Sequence, residues 1–296
     1  MSNQHEHSMT THPPLISASE LRERQADSTV KTLVADCGFE LTDPAAGRRA
    51  YDAGHLPGAV YVHLEDVLSA AKTGRNGRHP LPERARFADA MAALGADDDT
   101  LIVGYDNAGG MYAARLWWML RWAGHGAAAV LDGGIAAWQA DGGPLEVGQP
   151  AARPRGAFHL RDSLVPTADY AAVKANLDGG QRLVLDARAP DRFRGENETL
   201  DPVGGHIPGA RNRLFRDNLA ADGRFKPAAQ LRAEFDRLLD GRPGEAVISQ
   251  CGSGVTACHN LLAMEVAGLH GAALYPGSWS EWCAQPGAPI ATGEQR

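Results

Sequence analysis

The hexapeptide Gly54-His55-Leu56-Pro57-Gly58-Ala59 returns, with one change, as Gly205-His206-Ile207-Pro208-Gly209-Ala210. Other stretches return with it. Thr32-Leu33-Val34-Ala35-Asp36, an apolar run closed by an acid, matches Leu183-Val184-Leu185-Asp186. Ile102-Val103 leading to Asp106 matches Val247-Ile248 leading to Cys251. Val130-Leu131-Asp132-Gly133-Gly134 with Trp138 matches Leu274-Tyr275-Pro276-Gly277-Ser278 with Trp282. The offset stays near about 150 residues throughout, as a duplicated structural unit requires. Whatever the first half folds into, the second must fold into as well.

The short apolar runs read as buried strands. Between them lie segments of helical period, such as 83–94 with Phe87, Met91 and Leu94, or Leu261-Leu262 through Val266, ending near Gly268. Ser17 is placed to cap a short helix. Strands alternating with helices predict an α/β fold, each half a mostly parallel sheet flanked by helices on both faces. The two units are expected at 15–145 and 158–292. The joining stretch 141–157 is rich in Gly, Pro and Ala, and 1–13 reads as a flexible leader.

Composition excludes several roles. A net charge of −7 with both signs interspersed offers no basic stripe for nucleic acid and no polybasic run for an anionic membrane. No apolar run approaches the ~20 residues of a membrane span, and the N-terminus lacks a signal-peptide pattern. Cys37, Cys251, Cys258 and Cys283 form no CxxC pair and no disulfide framework, so a reducing, cytoplasmic setting is expected. Cys258-His259 lacks a second ligand pair, and His5, His7 and His12 lie in the leader. No metal and no cofactor are expected.

The repeat is asymmetric where chemistry is expected. Cys251 closes a strand and opens Cys251-Gly252-Ser253-Gly254-Val255-Thr256, a small-residue loop that leads into a helix. Such a loop turns successive N–H groups and the positive end of the helix toward one point, where they stabilise a thiolate. The first copy has Asp106 there, followed by Asn107-Ala108-Gly109-Gly110, and so lost the thiol. Ligand sites of such sheets lie at the C-terminal ends of strands, so a cleft walled by both copies is expected, with the chemistry in the second.

Gly-His-Ile-Pro-Gly-Ala and its twin, Asp186-Ala187-Arg188 and the loop at 251–257 together resemble the two-domain sulfurtransferases of the rhodanese superfamily, over roughly residues 15–290. The resemblance implies two tandem rhodanese-like domains, the first an inactive copy. It implies a Cys251 persulfide, formed from a small-molecule sulfur donor and discharged to a thiol, thioredoxin or cyanide. The neutral Cys-Gly-Ser-Gly-Val-Thr loop is similar to that of the mercaptopyruvate-using branch; thiosulfate users carry basic loop residues, and a thiosulfate donor stays as the alternative. By the same resemblance Ser253, His79 and Glu65 form a proton relay, with the histidine near neutral pKa. Arg192 binds the donor anion, alongside the backbone of Gly252, Gly254, Val255 and Thr256; Arg194 stands as a candidate second anion ligand, with a solvated charge as the alternative. Arg188 reads as a salt-bridge partner of Asp186. The second arginine usual before the Gly-His-Ile-Pro turn is missing; Glu196 to Val203 holds acids instead, which would repel a donor carboxylate if they faced the cleft. A phosphatase on the same fold would need an arginine six residues after the cysteine, where Ala257 stands. A non-catalytic persulfide carrier would need none of Arg192, His79 and Ser253.

Overall fold

The computed structural model describes residues 12–27 and 29–294. Most of the expected leader, with His5 and His7, lies outside them; His12 is described and half-buried. The first half runs β1 (Leu15–Ile16), α1 (Ala18–Ala26), β2 (Thr32–Asp36), α2 (Ala46–Ala53), β3 (Val60–Tyr61), α3 (Arg84–Ala93), β4 (Leu101–Tyr105), α4 (Ala113–Trp122), β5 (Ala128–Leu131) and α5 (Gly134–Ala140). The second runs α6 (Tyr170–Gly179), β6 (Leu183–Asp186), α7 (Pro190–Arg194), β7 (Arg211–Asn212), α8 (Ala228–Leu239), β8 (Val247–Gln250), α9 (Thr256–Val266), β9 (Ala273–Leu274) and α10 (Ser278–Trp282).

Both sheets are parallel. Their orders are β1-β5-β4-β2-β3 and β7-β6-β8-β9, and Thr167 bridges Leu274 where β1 flanks β5 in the first half. The duplication holds in register. Asp36 stands opposite Tyr105, the last residue of β4, and Asp186 opposite Gln250, the last residue of β8. The next residues, Asp106 and Cys251, therefore leave their sheets at equivalent points. Ser17 forms a capping box with Glu20, as its position predicts. Ala246, expected in the strand before Cys251, lies instead in a 3-10 turn that follows Pro243.

The halves are not separately packed. One core cluster runs from Phe87, Leu116 and Trp118 of the first half to Leu231, Phe235 and Met264 of the second, with α4 against α9. The connecting chain also docks. Gly156 N–H donates to Ala92, Arg161 N–H to Ala123, and Phe158 packs beside His125. Residue 158, expected to open the second unit, thus lies on a segment held to the first.

Candidate active site

Cys251 follows the last residue of β8, at the C-terminal edge of the second sheet, and is 2% exposed. The chain curls at once, because Gly254 takes a left-handed φ of 78° that favours glycine. That curl brings the Gly254 N–H to 3.1 Å from Cys251 Sγ. A Cβ at Gly254 would sit 2.4 Å from the Pro276 carbonyl oxygen, so the loop is seated against the backbone behind it. Cys251 N–H is held by Ser278 Oγ at 3.1 Å.

The first half shows what such a curl does with a negative charge. The Asp106 carboxylate accepts from four backbone N–H groups, those of Ala108 and Gly110 at 2.8 Å, Tyr112 at 2.9 Å and Ala113 at 3.0 Å. The loops differ in length, α4 starting seven residues after Asp106 and α9 five after Cys251. Both nonetheless turn backbone N–H toward the side chain that leaves the strand, four groups onto Asp106 and that of Gly254 onto Cys251.

A cavity of about 350 Å³ opens over Cys251 and is walled by both halves. The second half brings the 251–256 loop, Arg188, Arg192 and Arg216; the first brings Arg78, His79, Leu64 and Tyr112. Ser253 crosses the seam: its Oγ lies 2.8 Å from His79 Nδ1. His79 Nε2 faces Glu65 Oε1 at 4.0 Å, and the same oxygen holds Lys72 Nζ at 2.6 Å. Nδ1 and the serine hydroxyl share one hydrogen bond, whose direction follows the ring tautomer. The relay histidine was expected near neutral pKa. Burial, with Arg115, Arg78 and Lys72 nearby, instead drives it down to about 3, so it is a neutral imidazole.

The arginines divide. Arg188 packs on Asp186, Nη2 to Oδ2 at 2.7 Å, as expected. Arg192 lines the cavity and holds Glu198 at 2.8 Å and Asp201 at 3.3 Å. Arg78 reaches Asp201 from the first half. The acids of 196–203 therefore do not meet a ligand as bare charges. Glu198 and Asp201 have side chains 4% and 3% exposed and lie behind the arginines. Arg194 corrects an expectation. Two positions along α7 turn a side chain by about 200° from Arg192, so Arg194 faces away and pairs with Glu196 and Glu294.

Three functional positions escaped the sequence. Arg216, exposed in a 3-10 turn at Phe215–Asn218, lines the cavity and has no carboxylate within ion-pair distance among the described residues. Arg78 was visible only as the neighbour of His79. Arg115, fully buried on α4, donates to the carbonyls of Gly254 at 3.0 Å, His79 at 3.0 Å and Leu68 at 3.2 Å, tying loop and relay together. Around the cavity, four guanidiniums (Arg78, Arg188, Arg192, Arg216) face three carboxylates (Asp186, Glu198, Asp201), a surplus of one positive charge. Cys258 points into the core, donates to Gly254 O at 3.3 Å, and burial pushes its thiol up to about 12. Among the described residues no cluster of three His, Cys, Asp or Glu could hold a metal ion.

The model of the rhodanese-like domain matches residues 17–141 and again 169–285. The chain belongs to the rhodanese-like family. Among its rhodanese relatives, a protein of Pseudomonas aeruginosa named "Probable 3-mercaptopyruvate sulfurtransferase" is 46% identical over 282 residues, covering 95% of this chain and 98% of the relative. The thiosulfate sulfurtransferase of Cricetulus griseus is 37% identical and covers 85% of each chain. The crystal structure of SseA from Escherichia coli, described as a 3-mercaptopyruvate sulfotransferase, superposes with a TM-score of 0.77 at 31% identity, covering 90% of this rhodanese and 99% of SseA. The tandem α/β architecture and sulfurtransferase chemistry expected from the motifs are those of this family.

Proposed function

We propose that the chain transfers a sulfane sulfur from 3-mercaptopyruvate, through a persulfide on Cys251, to a thiol acceptor such as thioredoxin, or to cyanide. The observation that carries the donor is the 2.8 Å pair of His79 and Ser253 beside the thiol. Attack of the Cys251 thiolate on the donor sulfur forms an S–S bond and breaks the C–S bond. The electron pair of that bond passes to pyruvate enolate, which needs a proton at carbon. The Ser253 hydroxyl, held by the neutral imidazole of His79, supplies it and is restored by the donor's own thiol proton, which the new persulfide releases as it ionises; Glu65 lies on the far side of the ring. Arg192 and Arg216 hold the donor carboxylate. Backbone N–H groups of Gly252, Gly254, Val255 and Thr256 cradle the persulfide. An acceptor thiolate then takes the outer sulfur and frees the Cys251 thiolate.

Thiosulfate remains the second donor, because the same arginines accept it and its leaving group, sulfite, needs no proton on carbon. Four free thiols fit a reducing compartment such as the cytoplasm, and no helix among the described residues is long and apolar enough to cross a membrane. Steady-state transfer to cyanide with each donor tests the reading. A higher kcat/KM for 3-mercaptopyruvate, abolished in Cys251→Ser, supports it; a higher value for thiosulfate replaces the donor. A single stoichiometric transfer without turnover makes the chain a carrier.

A further inference from the structure

The duplication makes each half a reference for the other, and one side chain is missing from the first. In the second half Arg188 is clamped by four groups, one of them Glu198, whose Oε2 lies 3.5 Å from Nη1. Its Nε and Nη2 bind the Asp186 carboxylate at 2.7–3.1 Å, Nη2 also donates to the Gly205 carbonyl at 2.6 Å, and the guanidinium lies 4.6 Å from the Trp279 ring centre.

The corresponding positions in the first half follow from geometry. Asp36 matches Asp186 by strand register. Gly38 matches Arg188, since both donate their backbone N–H to that aspartate, at 2.8 and 3.0 Å. Gly54 matches Gly205, each preceding a histidine whose Nδ1 lies 2.8 Å from the carbonyl oxygen of the aromatic residue it stacks on, Tyr51 or Phe193. Ile135 matches Trp279 in the helix after the glycine corner. Asp36, Gly38, Gly54 and Ile135 all line one cavity of about 400 Å³. Ala50, which precedes Tyr51 as Arg192 precedes Phe193, lines it too. Both arginines of the active half are thus replaced, by a hydrogen atom and by a methyl group, and their room is open.

The carboxylate was kept. Asp36 is 6% exposed, bonded to the Gly38 N–H and the Tyr105 hydroxyl, with no cation at ion-pair distance among the described residues. Burial raises its pKa, as for an acid without a counter-ion. Glu40 adds a second acid to the cavity lining. We propose that this cavity is a binding site for a guanidinium group, held by the Asp36 carboxylate and the Gly54 carbonyl as Arg188 is held by Asp186 and the Gly205 carbonyl. A planar fork matches a carboxylate with a carbonyl beside it, where a spherical ammonium does not. The volume accommodates a whole arginine-sized molecule as readily as the side chain of a partner protein.

Calorimetric titration of the full chain with agmatine, n-butylamine and a capped single-arginine tripeptide tests this. Saturable one-site binding of agmatine or of the peptide is expected, with butylamine weaker by about tenfold or more. Agmatine alone identifies a small-molecule ligand, and the peptide identifies a partner's arginine. Gly38→Arg supplies the group internally. Its Cβ would lie 3.0 Å from Asp36 Oδ1 at a φ open to any residue, so the variant is expected to fold, to raise Tm and to abolish binding. Asp36→Asn is expected to weaken binding by about tenfold or more, with sulfur transfer by both variants within about twofold of wild type. Undiminished binding in Gly38→Arg, or no saturable binding of either guanidinium probe to the wild type, overturns the proposal, whether or not Asp36→Asn folds.

Discussion

His79 Nδ1 and Ser253 Oγ lie 2.8 Å apart although 174 positions separate them in the chain, so the proton path proposed beside Cys251 exists only when the two halves are joined. Ser253→Ala removes the hydroxyl and leaves the thiol in its cradle. Turnover of 3-mercaptopyruvate is expected to fall about a hundredfold in kcat, while turnover of thiosulfate changes little. Parallel steady-state assays with the two donors measure the ratio; an equal loss for both removes the hydroxyl from the proton path.

Arg192 and Arg216 should fail differently. Arg216 pairs with no carboxylate among the described residues, so Arg216→Ala is expected to raise the donor KM about tenfold and leave Tm nearly unchanged. Arg192→Ala also strips a partner from Glu198 and Asp201, which are buried, so it should raise KM and lower Tm together. Donor titrations paired with thermal melts separate the two.

The loop glycines differ in the same way. A Cβ at Gly252 would meet Arg78 Nη2 at 2.7 Å, the movable end of a long side chain. Gly252→Ala should therefore fold and raise the donor KM by displacing that arginine. Gly254→Ala combines a left-handed φ with a backbone oxygen at 2.4 Å and should cost about 2 kcal/mol or more and most of the activity. Urea unfolding and kcat on each variant check the contrast.

Two buried histidines make the fold sensitive to mild acid. Burial drives His79 to about 3 and His259 to about 4, while in the unfolded chain each titrates near 6.5. Below 6.5 the unfolded chain binds protons that the folded one refuses, so the stability present above that pH is lost as pH falls toward the folded values. Each histidine is expected to remove about 2 kcal/mol between pH 6.5 and 5. Urea midpoints at pH 7.5 and 5 should show the drop, to which His125 adds in the same direction, and His259→Gln should remove its own share.

The fold was legible because its signals are local. A hexapeptide turn and short apolar runs ending in acids each fit within a dozen residues and occur twice, and the single strand–cysteine–glycine loop is as compact. Arg188 was assigned because Asp186 is two positions away. The cationic side of the site was harder to see, because its partners come from far along the chain. Arg78 pairs with Asp201 across 123 positions, and Arg216 reaches the cavity only because β7 lies beside β6, which brings Phe215 N–H to the Ala187 carbonyl. The acids of 196–203 looked hostile to an anion because no sequence pattern tells that Glu198 and Asp201 are buried behind arginines. Arg194 was misassigned for want of the helix that turns it away.

Asp106 gives the loaded enzyme a permanent likeness. An aspartate carries its negative atom two bonds beyond Cβ, as a cysteine persulfide carries its outer sulfur. Four amide hydrogens converge on that charge in the half that never reacts. The active half meets the same demand only between donor and acceptor. On the proposed mechanism its resting state is the depleted form of a fold already shaped for an occupant, and the first copy carries, as a genetically encoded residue, what sulfur loading would build anew at every turnover.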